Sequence, residues 1–264
     1  MAAMARAQGM RMRVSRAWAS ARGRVPRHVA YLQAGRMRSW CVSDAQPQAA
    51  SEVDSFAAWC EAHAGTDVAL RLAGPLTRNL AVDAALSLRE PGALRGYARQ
   101  QFEHYHGARA TDWPLATWPG GVTALHGIDL GALQSTASAH DVRLVSVAPA
   151  WAAGLDGVSA SCPEFGGPGR SALLLVEGAA ATWLVAHDGL VVSLRQRYLV
   201  AAHVDDIARL LHALADEEDP LSGLPIVAGW DVDVPWPLPV GLASVFGSLG
   251  NDGVLSAWLQ GATP

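Results

Sequence analysis

The chain has 264 residues, half of them hydrophobic and 17% charged. That supplies a sizeable core and excludes a largely disordered protein. The formal net charge is only −4, and no stretch reaches the roughly 18 uninterrupted apolar residues of a membrane-spanning helix.

Charge is distributed unevenly. All 20 basic residues are arginine, and nine of them precede Asp44, the first acid. Residues 1–43 therefore carry +9 and the remainder 11 − 24 = −13. Residues 1–26 read as a basic, disordered leader ending at Pro26, with Met10 and Met12 as alternative starts. A polybasic segment of this kind also suits contact with an acidic membrane surface. An organelle-targeting reading fits the acid-free start, but the arginine-only usage points to a GC-rich bacterial genome. With no aromatic interleaving beyond Trp18, nucleic acid is not an expected partner.

The first elements follow in order. His28 to Ala34 and Arg36 to Ser43 form a hairpin around a Gly-containing turn, and Asp44 to Glu52 is a loop. Asp54 is placed to cap a helix to Ala64 that buries Phe56, Trp59 and Cys60. Asp67 to Ala73 and Thr77 to Leu86 read as strands, and Glu90-Pro91-Gly92 as a turn. Leu94, Tyr97, Ala98, Gln101, Phe102 and Tyr105 then make one helical stripe, closed by Gly107. Thr111 to Trp118 and Val122 to His126 flank Pro119-Gly120-Gly121 as paired strands. Asp129 caps a helix through Leu130, Leu133 and Ala137, Asp141 to Val147 is a strand, and Pro149 to Leu155 a short helix.

The Gly/Pro-rich segment 156–171 reads as a hinge between two lobes, 27–155 with an inserted subdomain and 172–264. Beyond it come apolar strands around Gly178 and Asp188-Gly189, a helix from Val204 to Ala215 and a strand from Leu224 to Gly229. Asp231 to Pro239 is extended and Pro-rich. Leu242, Val245, Phe246 and Leu249 have helical spacing, and a last helix holds Leu255, Trp258 and Leu259.

Catalytic signals are sparse. His104 and His106, one residue apart on a helix, cannot share a metal. Gly166 to Ser171 precedes a strand instead of opening a helix, so it is a hinge and not a phosphate loop. No Gly-x-Ser-x-Gly elbow occurs. Asp205 and Asp206 suit the positive end of a helix, and Asp216 to Asp219 reads as a solvated acidic loop. Trp151, Trp183, Trp230 and Trp236 are candidate core or ligand-lining residues. Cys41, Cys60 and Cys162 have neither metal nor disulfide spacing and read as small apolar side chains in a reducing compartment.

Hairpin, helix and strand thus occur twice, at 28–73 and 172–230, which predicts a duplicated α/β architecture. The run Leu173 to Gly189 resembles the strand–turn–strand signature of actin-like ATPases, roughly Asp-Ile-Gly-x-x-x-Thr. Gly178 and Thr182 match it, Asp188-Gly189 matches the next turn, and the family's metal-supporting Asp falls on Val176 or Glu177. The aromatic helix Tyr97–Tyr105 and the strand Asp141–Trp151 are similar to those of PilM-type pilus proteins and the cytoplasmic part of GspL-type secretion proteins.

The resemblance implies a duplicated actin-like, ribonuclease H-like two-lobed fold. The first-lobe turn offers only Leu32-Gln33-Ala34-Gly35, the adenine-side motif only Ala228-Gly229, and the Gly178 turn lacks its Asp. The implied role is a non-catalytic adaptor without cofactor at the cytoplasmic face of the inner membrane. Its implied partners are the tail of an inner-membrane pilus or secretion protein and an assembly ATPase. The alternative is an ATPase of the same fold using ATP and Mg²⁺ through Glu177, Gly178, Thr182 and Asp188. An unrelated α/β enzyme is the further alternative.

Overall fold

The computed structural model describes residues 27–41, 51–88, 90–118, 120–161, 165, 167–200, 203–217, 221–223, 225–230 and 244–245. The basic leader, Cys162, Gly166, Trp236 and the expected C-terminal helix at Leu255 to Leu259 lie outside them.

Two five-stranded sheets carry the fold. The first holds β1 (His28–Gln33), β2 (Arg36–Cys41), β3 (Ser51–Val53), β4 (Asp67–Leu72) and β8 (Arg143–Pro149), in the order β3-β2-β1-β4-β8. The second holds β9 (Arg170–Glu177), β10 (Ala180–His187), β11 (Leu190–Tyr198), β12 (Ile226–Trp230) and β13 (Ser244–Val245), in the order β11-β10-β9-β12-β13. In each, three antiparallel strands are followed by two parallel ones across the first strand. The repeat seen in the sequence is therefore a repeat of topology.

Alternation within β9 explains its unbroken apolar run. Leu173 and Leu175 enter a core shared between the lobes, whereas Ala172, Leu174 and Val176 enter a separate core beneath α5 (Val204–Asp216). A strand buried on both faces needs apolar residues at every position. The first sheet does the same less completely. Val29 and Tyr31 face the shared core, while Ala30 and Leu32 pack with Phe56, Trp59 and Cys60 of α1 (Phe56–Ala62) and Ala137 of α3 (Leu130–Ala139).

Between β4 and α3 an inserted subdomain forms its own small core. Its sheet, ordered β5-β7-β6, comprises β5 (Thr77–Ala81), β6 (Leu115–Trp118) and β7 (Gly121–Leu125). Leu94, Ala98 and Phe102 of α2 (Pro91–His106) pack on Val122 and Ala124.

Several expectations need correction. Ser51 to Val53 is a short edge strand, not the end of a loop. The cap of α1 is Ser55, whose hydroxyl accepts from the Ala58 N–H, and not Asp54. Glu90-Pro91-Gly92 starts α2, because proline suits the first helical position. The strand at Thr77 stops at Ala81, and residues 84–86 form a 3₁₀ turn. Helix α4 runs from Ala150 to Ser161, beyond Leu155. Ser244 and Val245 pair in parallel with β12, which ends the helical reading of that segment. Asp129 caps α3 as expected, its Oδ1 accepting from the Gly131 and Ala132 N–H groups.

Candidate functional site

The two hairpin turns that would face a ligand in a duplicated fold differ in surroundings. The first, Ala34-Gly35, follows β1 and lies beside charged residues: the Arg36 Nε–H donates to Gln33 Oε1, and Arg36 and Arg38 both pair with Glu52, Arg38 at 3.0 Å. The second, Gly178-Ala179, joins β9 to β10. Gly178 takes φ +54 there, in the left-handed region where a side chain is unfavourable.

Glu177 immediately precedes that second turn and is 3% exposed. It belongs to the seam between lobes. The Tyr31 hydroxyl, from the first lobe, donates to its Oε1 at 3.3 Å. The Gln196 amide, next to Thr182 in the β10–β11 register, donates to the Gly74 carbonyl at 2.8 Å. A Cβ on Gly74 would sit 2.7 Å from Gln196 Nε2, 3.1 Å from the Ala180 Cβ and 3.2 Å from Glu177 Oε2. First-lobe backbone thus fills the space beside the Glu177 carboxylate, and only glycine lets it approach so closely.

The other expected residues scatter. Thr182 is fully buried, on the same face of the sheet as Glu177. Asp188 lies just past the far end of β10, whose first residue Ala180 pairs with Glu177, so it is roughly 26 Å from Glu177 at about 3.3 Å per residue. There it has a structural role: its Oδ1 accepts from the Gly169 N–H at 2.8 Å, while its own N–H donates to the Gly169 carbonyl at 2.9 Å. Glu177 and Asp188 cannot hold one ion between them. Among the described residues no three His, Cys, Asp or Glu side chains converge on a metal position.

The remaining candidates are structural. Trp151 and Trp183 are buried in the core. Glu217 pairs with Arg195 at 2.6 Å, and Asp205 and Asp206 occupy the first turn of α5. Cys60 is buried, its thiol pushed up to about 11 by loss of solvation, and Cys41 is half-buried. Tyr31, Gly74 and Gln196 went unmarked in the sequence. Their contacts join residues 146 and 122 positions apart, and no local pattern encodes such pairs.

No protein-family model matches this sequence, and no curated protein matches it. Solved structures do. A PilM–PilN type IV pilus biogenesis complex superposes with a TM-score of 0.56 at 12% identity, covering 92% of this chain and all of the other. The cytoplasmic domain of EpsL, an inner-membrane component of the Vibrio cholerae type II secretion system, gives 0.52 at 16%, covering 89% and 93%. A Bacteroides thetaiotaomicron protein of actin-like ATPase fold and unknown function gives 0.52 at 13%, covering 78% and 82%. With the repeated strand order of the two sheets, these similarities establish that the chain has the duplicated actin-like fold.

Proposed function

We propose that the protein is a non-catalytic adaptor in a bacterial pilus or type II secretion assembly, working at the cytoplasmic face of the inner membrane. Its partners are the cytoplasmic tail of an inner-membrane assembly protein and an assembly ATPase, with the arginine-rich N-terminus resting on acidic lipid. The observation that carries this reading is the seam at Glu177. A buried carboxylate held by Tyr31, with Gly74 packed against it, lies where a triphosphate would need amides, a cation and open space.

Calorimetry of the full chain with ATP and Mg²⁺ tests the reading. The adaptor predicts no binding at millimolar nucleotide. Micromolar affinity, roughly −8 kcal/mol, abolished by Glu177→Ala with Gly178→Arg, would replace it with the ATPase reading. That alternative draws on the retained left-handed turn at Gly178. The positive arm is capture of the chain by immobilised tails of inner-membrane pilus and secretion proteins from the same genome.

A further inference from the structure

The body of the chain from Asp44 onward is acidic, at −13, yet one surface runs the other way. It begins at the C-terminal end of α2 and crosses the inserted subdomain to the second lobe. Arg109, exposed in the 3₁₀ turn 108–110, donates from Nε to the His106 carbonyl at 3.1 Å. The His106 ring lies 5.2 Å from Trp113, and Trp113 meets the His126 ring edge-on at 4.9 Å. Arg78 is near enough to act on the charge of both imidazoles, and its Nη1 donates to the Pro75 carbonyl at 3.2 Å. Arg78 then reaches the second lobe, donating to the Tyr198 hydroxyl at 2.8 Å with its guanidinium 5.8 Å from that ring's centre.

The result is a string, Arg109–His106–Trp113–His126–Arg78–Tyr198, in which two arginines and two imidazoles are interleaved with two aromatic rings. Phe102 lies 6.0 Å behind Trp113 as a floor. Arg109 and Tyr198 are exposed and the four between are half-buried.

We propose that this string is a docking surface for an extended acidic peptide segment of a partner protein. Charge complementarity identifies the occupant: carboxylates spaced along a chain meet Arg109, the two imidazoles and Arg78 in turn. Trp113 and Tyr198 give the intervening methylenes an apolar surface. The string is spread over α2, the 108–110 turn, the loop holding Trp113, β5, the residue after β7, and β11, which suits an extended chain better than a single enclosed ion. This inference deepens the adaptor reading by giving one partner its chemistry, and rests on that reading only in making the partner a protein.

The histidines make the surface pH-dependent. Burial first, then Arg78 and Arg109, hold both imidazoles below the ordinary histidine range, and His106 acts on His126 in the same direction. The acids nearest in sequence, Glu103 and Asp112, are exposed. A docked carboxylate favours the protonated rings and raises both pKa values. Binding therefore takes up protons, and affinity rises as pH falls through the bound-state values.

The test is fluorescence anisotropy of labelled hexaglutamate with the full chain at low salt, beside hexaglutamine, inorganic phosphate and anionic vesicles. Hexaglutamate should bind, weaken with salt, and tighten by roughly twofold to fivefold between pH 7.5 and 5.5, the range expected of partly exposed charge pairs. Arg109→Glu, at an exposed position that leaves the fold intact, should lower affinity by a similar factor. His106→Gln with His126→Gln should flatten the pH dependence while arginine-driven binding persists. Equal binding of hexaglutamine, or no effect of Arg109→Glu, overturns the proposal. So do vesicle binding without peptide binding, and full displacement by millimolar phosphate. ATP calorimetry reports on the adaptor reading separately, so either can fail without the other.

Discussion

The two lobes share one strand order but use it differently. In the first, the hairpin turn after β1 is bordered by Arg36, Arg38 and Glu52, all partly solvated. In the second, the equivalent turn carries Glu177 into the seam, against Tyr31 and Gly74 from the other lobe. The cores differ in the same sense. Trp59 on α1 is buried with its indole N–H donating to the Ser39 hydroxyl at 2.7 Å. Trp183 on β10 is equally buried, but its indole N–H has no hydrogen-bond partner among the described residues. A repeated topology thus fixes where turns and cores lie. The chemistry at those places is set by the contacts made there, within the first lobe at Glu52 and Ser39 and across the seam at Glu177, and there function must be sought.

The core comparison allows the largest test. Trp59→Ala and Trp183→Ala should each cost roughly 3–5 kcal/mol, readable in urea melts, and so would not tell the lobes apart. Phenylalanine would. Trp59→Phe loses ring volume and a hydrogen bond, whereas Trp183→Phe loses volume and a buried donor that was not paired. Trp59→Phe should therefore cost about 1 kcal/mol more. Equal costs would mean that the Ser39 bond, made by a hydroxyl that also meets Ser51 Oγ at 2.7 Å, adds nothing net.

The seam comes next. Gly74→Ala puts a methyl group against Gln196, Ala180 and Glu177, and should destabilise by about 1–3 kcal/mol. The two long side chains can swing away, but Ala180 is on a buried strand and cannot. If the lobes were only loosely apposed, they would part and the cost would vanish. Tyr31→Phe removes the hydroxyl that donates to Glu177 and should cost about 0.5–1.5 kcal/mol, the net worth of one hydrogen bond. A surface control, Glu52→Gln, should cost under about 1 kcal/mol.

These residues also mark how far sequence reading reached. Strands β9 and β10 were legible because their two-sided burial writes apolar runs, punctuated by Gly178 and Asp188-Gly189; β11 is buried on one face only and opens with the apolar Leu190-Val191-Val192. The first lobe's copy was fainter. β3 is three residues long, with Ser51 and Glu52 exposed, so nothing apolar announced it. Pro91-Gly92 looked like a turn because proline and glycine serve turns and helix starts alike. Gly178 was legible as a turn glycine, but Tyr31 and Gly74 were not as neighbours of Glu177: an apolar-looking strand residue and a glycine before proline give no sign of partners so distant in sequence, 146 residues away for Tyr31.

The smallest effect belongs to the first lobe and is a matter of pH. His28 begins β1, with ring centres 5.4 Å from Trp59 and 5.0 Å from His63. Burial, then His63, then Arg27 lower its pKa. The folded state thus prefers the neutral ring, so the unfolded chain binds the extra proton. Stability is full above the ordinary histidine value and falls as pH drops towards the folded one. Thermal melts at pH 7.5 and 5.5 should show a loss on acidification that His28→Gln reduces, by less than any change above because the ring is only half-buried. His106 and His126 shift in the same direction, so the wild-type loss cannot be assigned to one ring. The difference between wild type and His28→Gln isolates the β1 site. A loss unchanged in that variant would move the acid sensitivity to the inserted subdomain, where the other two rings lie.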